Sequence, residues 1–168
     1  MTKPIPSKAA IKGHPVHPML IPFPMVLISA AVVTDIVYAV NDGEAWASAW
    51  ASAAVWLLGG AVAMGTLAAI AGATDFFGVR EVREHNTAKK HGIGNSLILV
   101  LTLVNFVVRL GDPQDAVLPW GLLLTLSSAA MLGYTGWLGG ELSYKHMIGV
   151  DPGMEEPKQP VLGSRAHQ

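Results

Sequence analysis

The chain has 168 residues, 51% of them hydrophobic and 14% charged, with a formal net charge of -1 and no cysteine. A soluble domain carries about 25% charged residues, so this composition excludes an ordinary water-soluble protein, and the missing thiols exclude disulfides, thiolate metal ligands and thiol catalysis. The near-zero net charge selects no partner, and no basic surface points to nucleic acid.

The charged residues are confined to short intervals between apolar runs of about twenty residues, the length that crosses the hydrocarbon core of a bilayer. This predicts an all-α, polytopic membrane protein with four transmembrane helices in a bundle. The expected boundaries are an extended lead-in over 1–18, a membrane domain over 19–146 with spans at about 19–40, 47–77, 92–110 and 118–141, and a disordered tail over 147–168. A full-length first apolar run preceded by eighteen polar residues reads as an uncleaved first helix and not as a signal peptide.

The lead-in contains Gly13-His14-Pro15-Val16-His17-Pro18. Each histidine precedes a proline, which disfavours helical backbone at both, so a polyproline-like path with the two rings on one side is expected. Span one has Pro22 and Pro24 in its first turns, where a missing donor costs least, and one charge, Asp35, near its far end. An acidic turn, Asn41-Asp42-Gly43-Glu44, follows. Span two carries Ala61, Gly65, Ala69 and Ala73 at four-residue intervals, a smooth stripe for close helix packing. It ends near Asp75 and leads into a polar interval, residues 78–91, containing His85.

Span three opens at His91. His91 and Asn95 are four apart and share a face, and Arg109 closes the span. A second acidic turn, Gly111-Asp112-Pro113-Gln114-Asp115, leads to span four. That span begins at Pro119, carries a Gly136/Gly140 pair of the GxxxG type, and ends at Glu141 with His146 just beyond. Spans one and three echo each other: Asp35 lies eighteen residues after His17, as Arg109 does after His91.

Of the eleven lysines and arginines, ten lie before span one, between spans two and three, or after span four. Only Arg109 approaches the other side. The positive-inside rule then puts both termini in the cytoplasm, as for a multi-pass protein of a bacterial inner membrane. Trp46, Trp50 and Trp120 cluster at the opposite boundary as an aromatic belt would.

With this topology His14, His17, His85, His91 and His146 meet one face of the membrane, with Asp75, Asn95 and Glu141 as orienting neighbours. Neutral imidazole is the commonest ligand of transition metals and haem iron, and carboxylates or amides orient such ligands. Haem b or a transition metal ion is the cofactor this chemistry admits, although no histidine is expected deep within a span and no spacing matches a specific metal signature. Asp35 and Arg109 are expected to form an intramembrane ion pair, since charges inside a bundle face inward and pair. No serine nucleophile elbow or phosphate loop is present, so nothing argues for an enzyme.

The chain resembles the family of small bacterial membrane proteins known as domain of unknown function family 2231. The resemblance rests on Gly13 to Pro18 with Pro22-Phe23-Pro24, on Asp35, Asp75 and His91 to Asn95, and on Gly136-Trp137-Leu138-Gly139-Gly140-Glu141-Leu142-Ser143-Tyr144. It implies four spans and, because some members are joined to Rieske iron-sulfur domains, a redox setting. The function expected is a metal- or haem-binding electron-transfer protein with a redox partner. The alternatives are a structural or assembly subunit, self-associating or within a larger complex, and a proton or ion pathway through Asp35, Asn105 and Arg109.

Overall fold

The structure is a computed structural model in which residues 3–150 are described; of the tail expected to be disordered over 147–168, residues 147–149 instead pair with Ile5, and the rest lies outside the described residues. The lead-in holds a small hairpin, β1 (Ala10–Ile11) and β2 (His14–Pro15), paired antiparallel with Ile11 opposite His14. Lys12 and Gly13 make its two-residue turn with φ of 50° and 83°, the positive pair that a tight hairpin requires and that glycine adopts without strain. Helix α1 (Val16–Leu20) and α2 (Pro22–Val40) form the first span, Val16–Val40. A 3-10 turn (Ala45–Ala47) and α3 (Ser48–Gly78) form the second. After α4 (Arg80–Glu84), α5 (Asn86–Val108) is the third span, and a kinked entry at Val117–Gly121 with α6 (Leu122–Tyr144) the fourth.

The four helices are long and apolar enough to cross a membrane. Their outward residues are apolar too: Trp56 is 84% and Trp137 73% exposed. A helix apolar all round has no amphipathic face to turn to water, so these surfaces call for lipid.

α2 packs against α3 and α6, and α5 does the same, so α2 and α5 face each other across the bundle diagonal. The two hairpins share one pattern of inward positions. In α2, Ile28, Ala31 and Asp35 are buried; 74 positions on, in α5 and its C-cap, so are Thr102, Asn105 and Arg109. In α3, Ala54, Leu58, Ala61, Ala68 and Ala71 correspond in register to Gly121, Thr125, Ser128, Thr135 and Leu138 of the fourth span. The echo between spans one and three therefore extends to both hairpins.

The lead-in differs from its expectation. His17 is helical, in a turn closed by the Ile21 amide on the His17 carbonyl at 3.2 Å. Pro18 is tolerated because the N–H groups of a first turn have no intrahelical acceptor. His14 sits on the hairpin, exposed, its Nδ1 3.1 Å from the Lys12 carbonyl, so the two rings do not share a ligand. The lead-in is tied down at Ile5, whose amide donates to Met147 O and whose carbonyl accepts the Gly149 amide, each at 2.9 Å.

Candidate functional site: two polar layers across the bundle

Two layers of polar side chains cross the diagonal between α2 and α5. The first lies toward the acidic loops. Arg109 donates from Nη1 to Asp35 Oδ1 and from Nη2 to Asp35 Oδ2, both at 2.7 Å, with both side chains fully buried. Its Nε donates to Asn105 Oδ1 at 2.9 Å, and Asn105 Nδ2 donates to Thr125 Oγ1 at 2.7 Å and to Gly121 O at 3.1 Å. The Thr125 hydroxyl lies 2.7 Å from Asp35 Oδ2, and donating its single proton to the charged oxygen is the stronger bond. A planar guanidinium matched to a carboxylate in this way carries no net charge into the low-dielectric interior. Gly121 makes room for it: a Cβ there would stand 2.6 Å from Arg109 Nη2 and collide with the Ala116 carbonyl.

The second layer lies at the opposite end of the bundle, beside the lead-in hairpin. His17 and His91 face each other with ring centroids 6.1 Å apart and ring planes at 87°. His17 Nδ1 is 2.7 Å from the Ala68 carbonyl of α3, and His91 Nδ1 is 2.9 Å from the Thr135 carbonyl of α6. A carbonyl only accepts, so Nδ1 of each ring carries the proton and the neutral ring keeps its lone pair on Nε2. Gly72, one turn beyond Ala68, and Gly139, one turn beyond Thr135, lie under the two rings; a Cβ there would sit 3.0 Å and 3.1 Å from the imidazole. A larger residue at either place would push the ring aside.

The pair borders a cavity of about 940 Å³ lined by His17, His91, Asn95, Ile98 and Thr135 among others. That falls within the range of cofactor-sized pockets, roughly 300–1,000 Å³.

The five histidines expected to gather at one boundary divide instead. His85 and His146 pair separately, centroids 4.2 Å apart, and His14 stands alone. The cause is where α5 begins. It starts at Asn86, so His85 caps it, accepting the Thr87 amide at 3.3 Å, while His91 enters the bundle a turn and a half later. The His85 pKa is lowered by burial and by the neighbouring His146, with Glu141 pulling the other way. Asp75 and Glu141 orient no histidine through a hydrogen bond. Asp75 accepts the Ser7 hydroxyl at 2.8 Å and the Lys8 and Ala9 amides at 2.7 and 2.8 Å, clamping the lead-in, and Glu141 pairs with Lys145 at 3.0 Å. Asn95 does touch a histidine: Nδ2 donates to His91 O at 2.8 Å and to His91 Nε2 at 3.2 Å, and Oδ1 accepts the Thr135 hydroxyl at 3.4 Å. The Gly136/Gly140 pair borders the cavity, and a Cβ on either would meet no neighbouring helix within 4 Å among the described residues. Among the described residues, no group of three or more histidines and carboxylates is placed to hold a metal ion.

The fold and its two layers define a multi-pass, four-helix membrane protein with a paired-histidine cavity at one end. Residues 13–152 match a family model described as predicted membrane protein (DUF2231), and the chain belongs to that family. No curated protein and no solved structure matches it.

Proposed function

We propose that this bundle holds a haem-type iron tetrapyrrole between His17 and His91 and serves one-electron transfer in the membrane. The observation that carries the reading is the facing pair of imidazoles, each with Nδ1–H fixed on a backbone carbonyl and its lone pair on Nε2, which in His91 accepts from Asn95. A backbone or carboxylate bond on the second nitrogen is the usual way a ligating histidine is oriented. Two protein ligands do not satisfy a bare ion, which takes three or four. They do complete an iron whose macrocycle fills its other positions, as bis-histidine ligation in helix bundles does. Gly72 and Gly139 keep both rings in place. When bound, the group supplies reversible one-electron chemistry. The residues hold it, exclude water and raise ligand basicity through the Ala68 and Thr135 carbonyls.

The polar ends, with the excess of lysine and arginine beside the histidine layer, support an inner-membrane location with that layer toward the cytoplasm. The test is an absorption spectrum and iron analysis of the detergent-purified protein after expression with iron and a haem precursor. A Soret band at one haem per chain, lost in the double variant His17→Ala/His91→Ala, is expected. Neither a Soret band nor stoichiometric metal would sink the reading.

A second reading is a subunit that docks on another membrane protein. It is favoured by Gly136, where an added Cβ would meet nothing within 4 Å among the described residues. Gly136→Leu with Gly140→Leu should then break a native oligomer, and an unchanged native mass counts against it.

A further inference from the structure

The two histidines are equivalent in the repeat but not in their surroundings, and the difference lies on Nε2, the atom that would bind iron. His91 Nε2 accepts a hydrogen bond from Asn95 Nδ2 at 3.2 Å, and Asn95 is itself held by the His91 carbonyl and the Thr135 hydroxyl. Four residues after His17 stands Ile21, which has no donor to offer, and Ala68 replaces Thr135. His17 Nε2 has no hydrogen-bond partner among the described residues. One half of the repeat thus carries a polar clamp on the ligand atom, built from two residues, that the other half lacks twice over.

We infer that His17 is the permanent ligand and His91 an exchangeable one, so that the site takes a small neutral diatomic ligand on the His91 side. This rests on the haem reading above. If the group is held there, release of His91 would return its Nε2 lone pair to the Asn95 amide and leave room for the incoming ligand. No electron or proton is transferred. Asn95 is a positioning residue: its amide stabilises the unligated ring, and the hydrogen bond it regains offsets part of the cost of breaking the metal bond.

Carbon monoxide added to the dithionite-reduced, haem-loaded full-length protein in detergent tests this. The expected result is a shift of the Soret band on mixing. Asn95→Leu should bind carbon monoxide about tenfold more slowly, the factor set by the net worth of one hydrogen bond. Its oxidised form should show a purer low-spin spectrum, because His91 then stays on the iron. His91→Ala should bind carbon monoxide faster than the native chain, and His17→Ala should lose haem. Asn95→Ala removes the same donor and serves if the leucine variant does not fold. A haem-loaded protein that binds no carbon monoxide, or Asn95 variants with the native rate and spin state, would overturn this inference and leave the haem site standing. A chain with no Soret band would overturn both.

Discussion

The acidic-loop layer and the histidine layer sit on the same diagonal and are built from equivalent positions of the two hairpins, yet they end in opposite states. At Asp35 and Arg109 the guanidinium and carboxylate match in shape and charge, and Asn105 and Thr125 take up the remaining donors and acceptors. Nothing is left with which to bind a ligand. At His17 and His91 two identical side chains face each other and cannot satisfy each other; their Nδ1 protons go to the neighbouring helices, and beside a cavity Nε2 has no partner among the described residues in His17 and only Asn95 in His91. Charge complementarity across the repeat makes a lock. Repetition of the same residue leaves two rings that need other partners.

Breaking the lock should have the largest effect. Asp35→Ala strands the Arg109 charge in the interior and should cost about 3–5 kcal/mol, read as loss of folded yield and a lower thermal midpoint in detergent. Exchanging the two residues, Asp35→Arg with Arg109→Asp, should recover part of it, and an Asp35→Ala variant as stable as the native chain would show that the pair contributes nothing. Gly121→Ala comes next, at about 1–3 kcal/mol, because its Cβ must displace the guanidinium or the Ala116 carbonyl in a packed interior. Thr125→Val removes one donor from Asp35 and should cost about 1 kcal/mol, the upper part of the range for hydrogen bonds between membrane helices.

Between the layers the expected sign reverses. Ser128 Oγ is buried without a partner among the described residues, so Ser128→Ala should be neutral or stabilising by up to about 1 kcal/mol, and a clear loss of stability would show that this hydroxyl is hydrogen-bonded.

The smallest effect is at the third pair. The folded His85 pKa lies below the ordinary value of 6.5, with burial the first cause and His146 the second. Since the unfolded ring takes up its proton first, this residue's contribution is fully present above about pH 6.5 and is lost as the pH falls below it toward the depressed folded value. Thermal midpoints at pH 7.5 and pH 5.5 should therefore differ slightly less in His85→Asn than in the native chain.

Much of the architecture was legible because lipid imposes length: four apolar runs of spanning length fix four helices, and short polar loops fix their order. The Asp35–Arg109 contact was legible for a related reason. Each span of the first and third pair holds one charge at matching depth, and hydrocarbon leaves such charges no partner but each other. The histidine layer was only half legible. Boundaries drawn by hydropathy put His91 at the surface with His85, whereas α5 starts at Asn86 and carries His91 inward. The overlooked signals were Gly72 and Gly139, each one turn beyond a residue whose carbonyl receives an imidazole.

What the sequence determined by itself is the number of spans, their pairing into two similar hairpins and the opposite charges at one depth, all consequences of the free energy of placing each residue type in hydrocarbon. Which imidazoles meet was decided by the tertiary structure. Helix rotation and the exact start of α5 set whether a ring faces lipid, water or the bundle axis, and those follow from packing between residues far apart in the chain. The same holds for the Asn95 clamp, since a spacing of four places Asn95 beside His91, but only the arrival of α6 with Thr135 orients its amide toward the ring nitrogen.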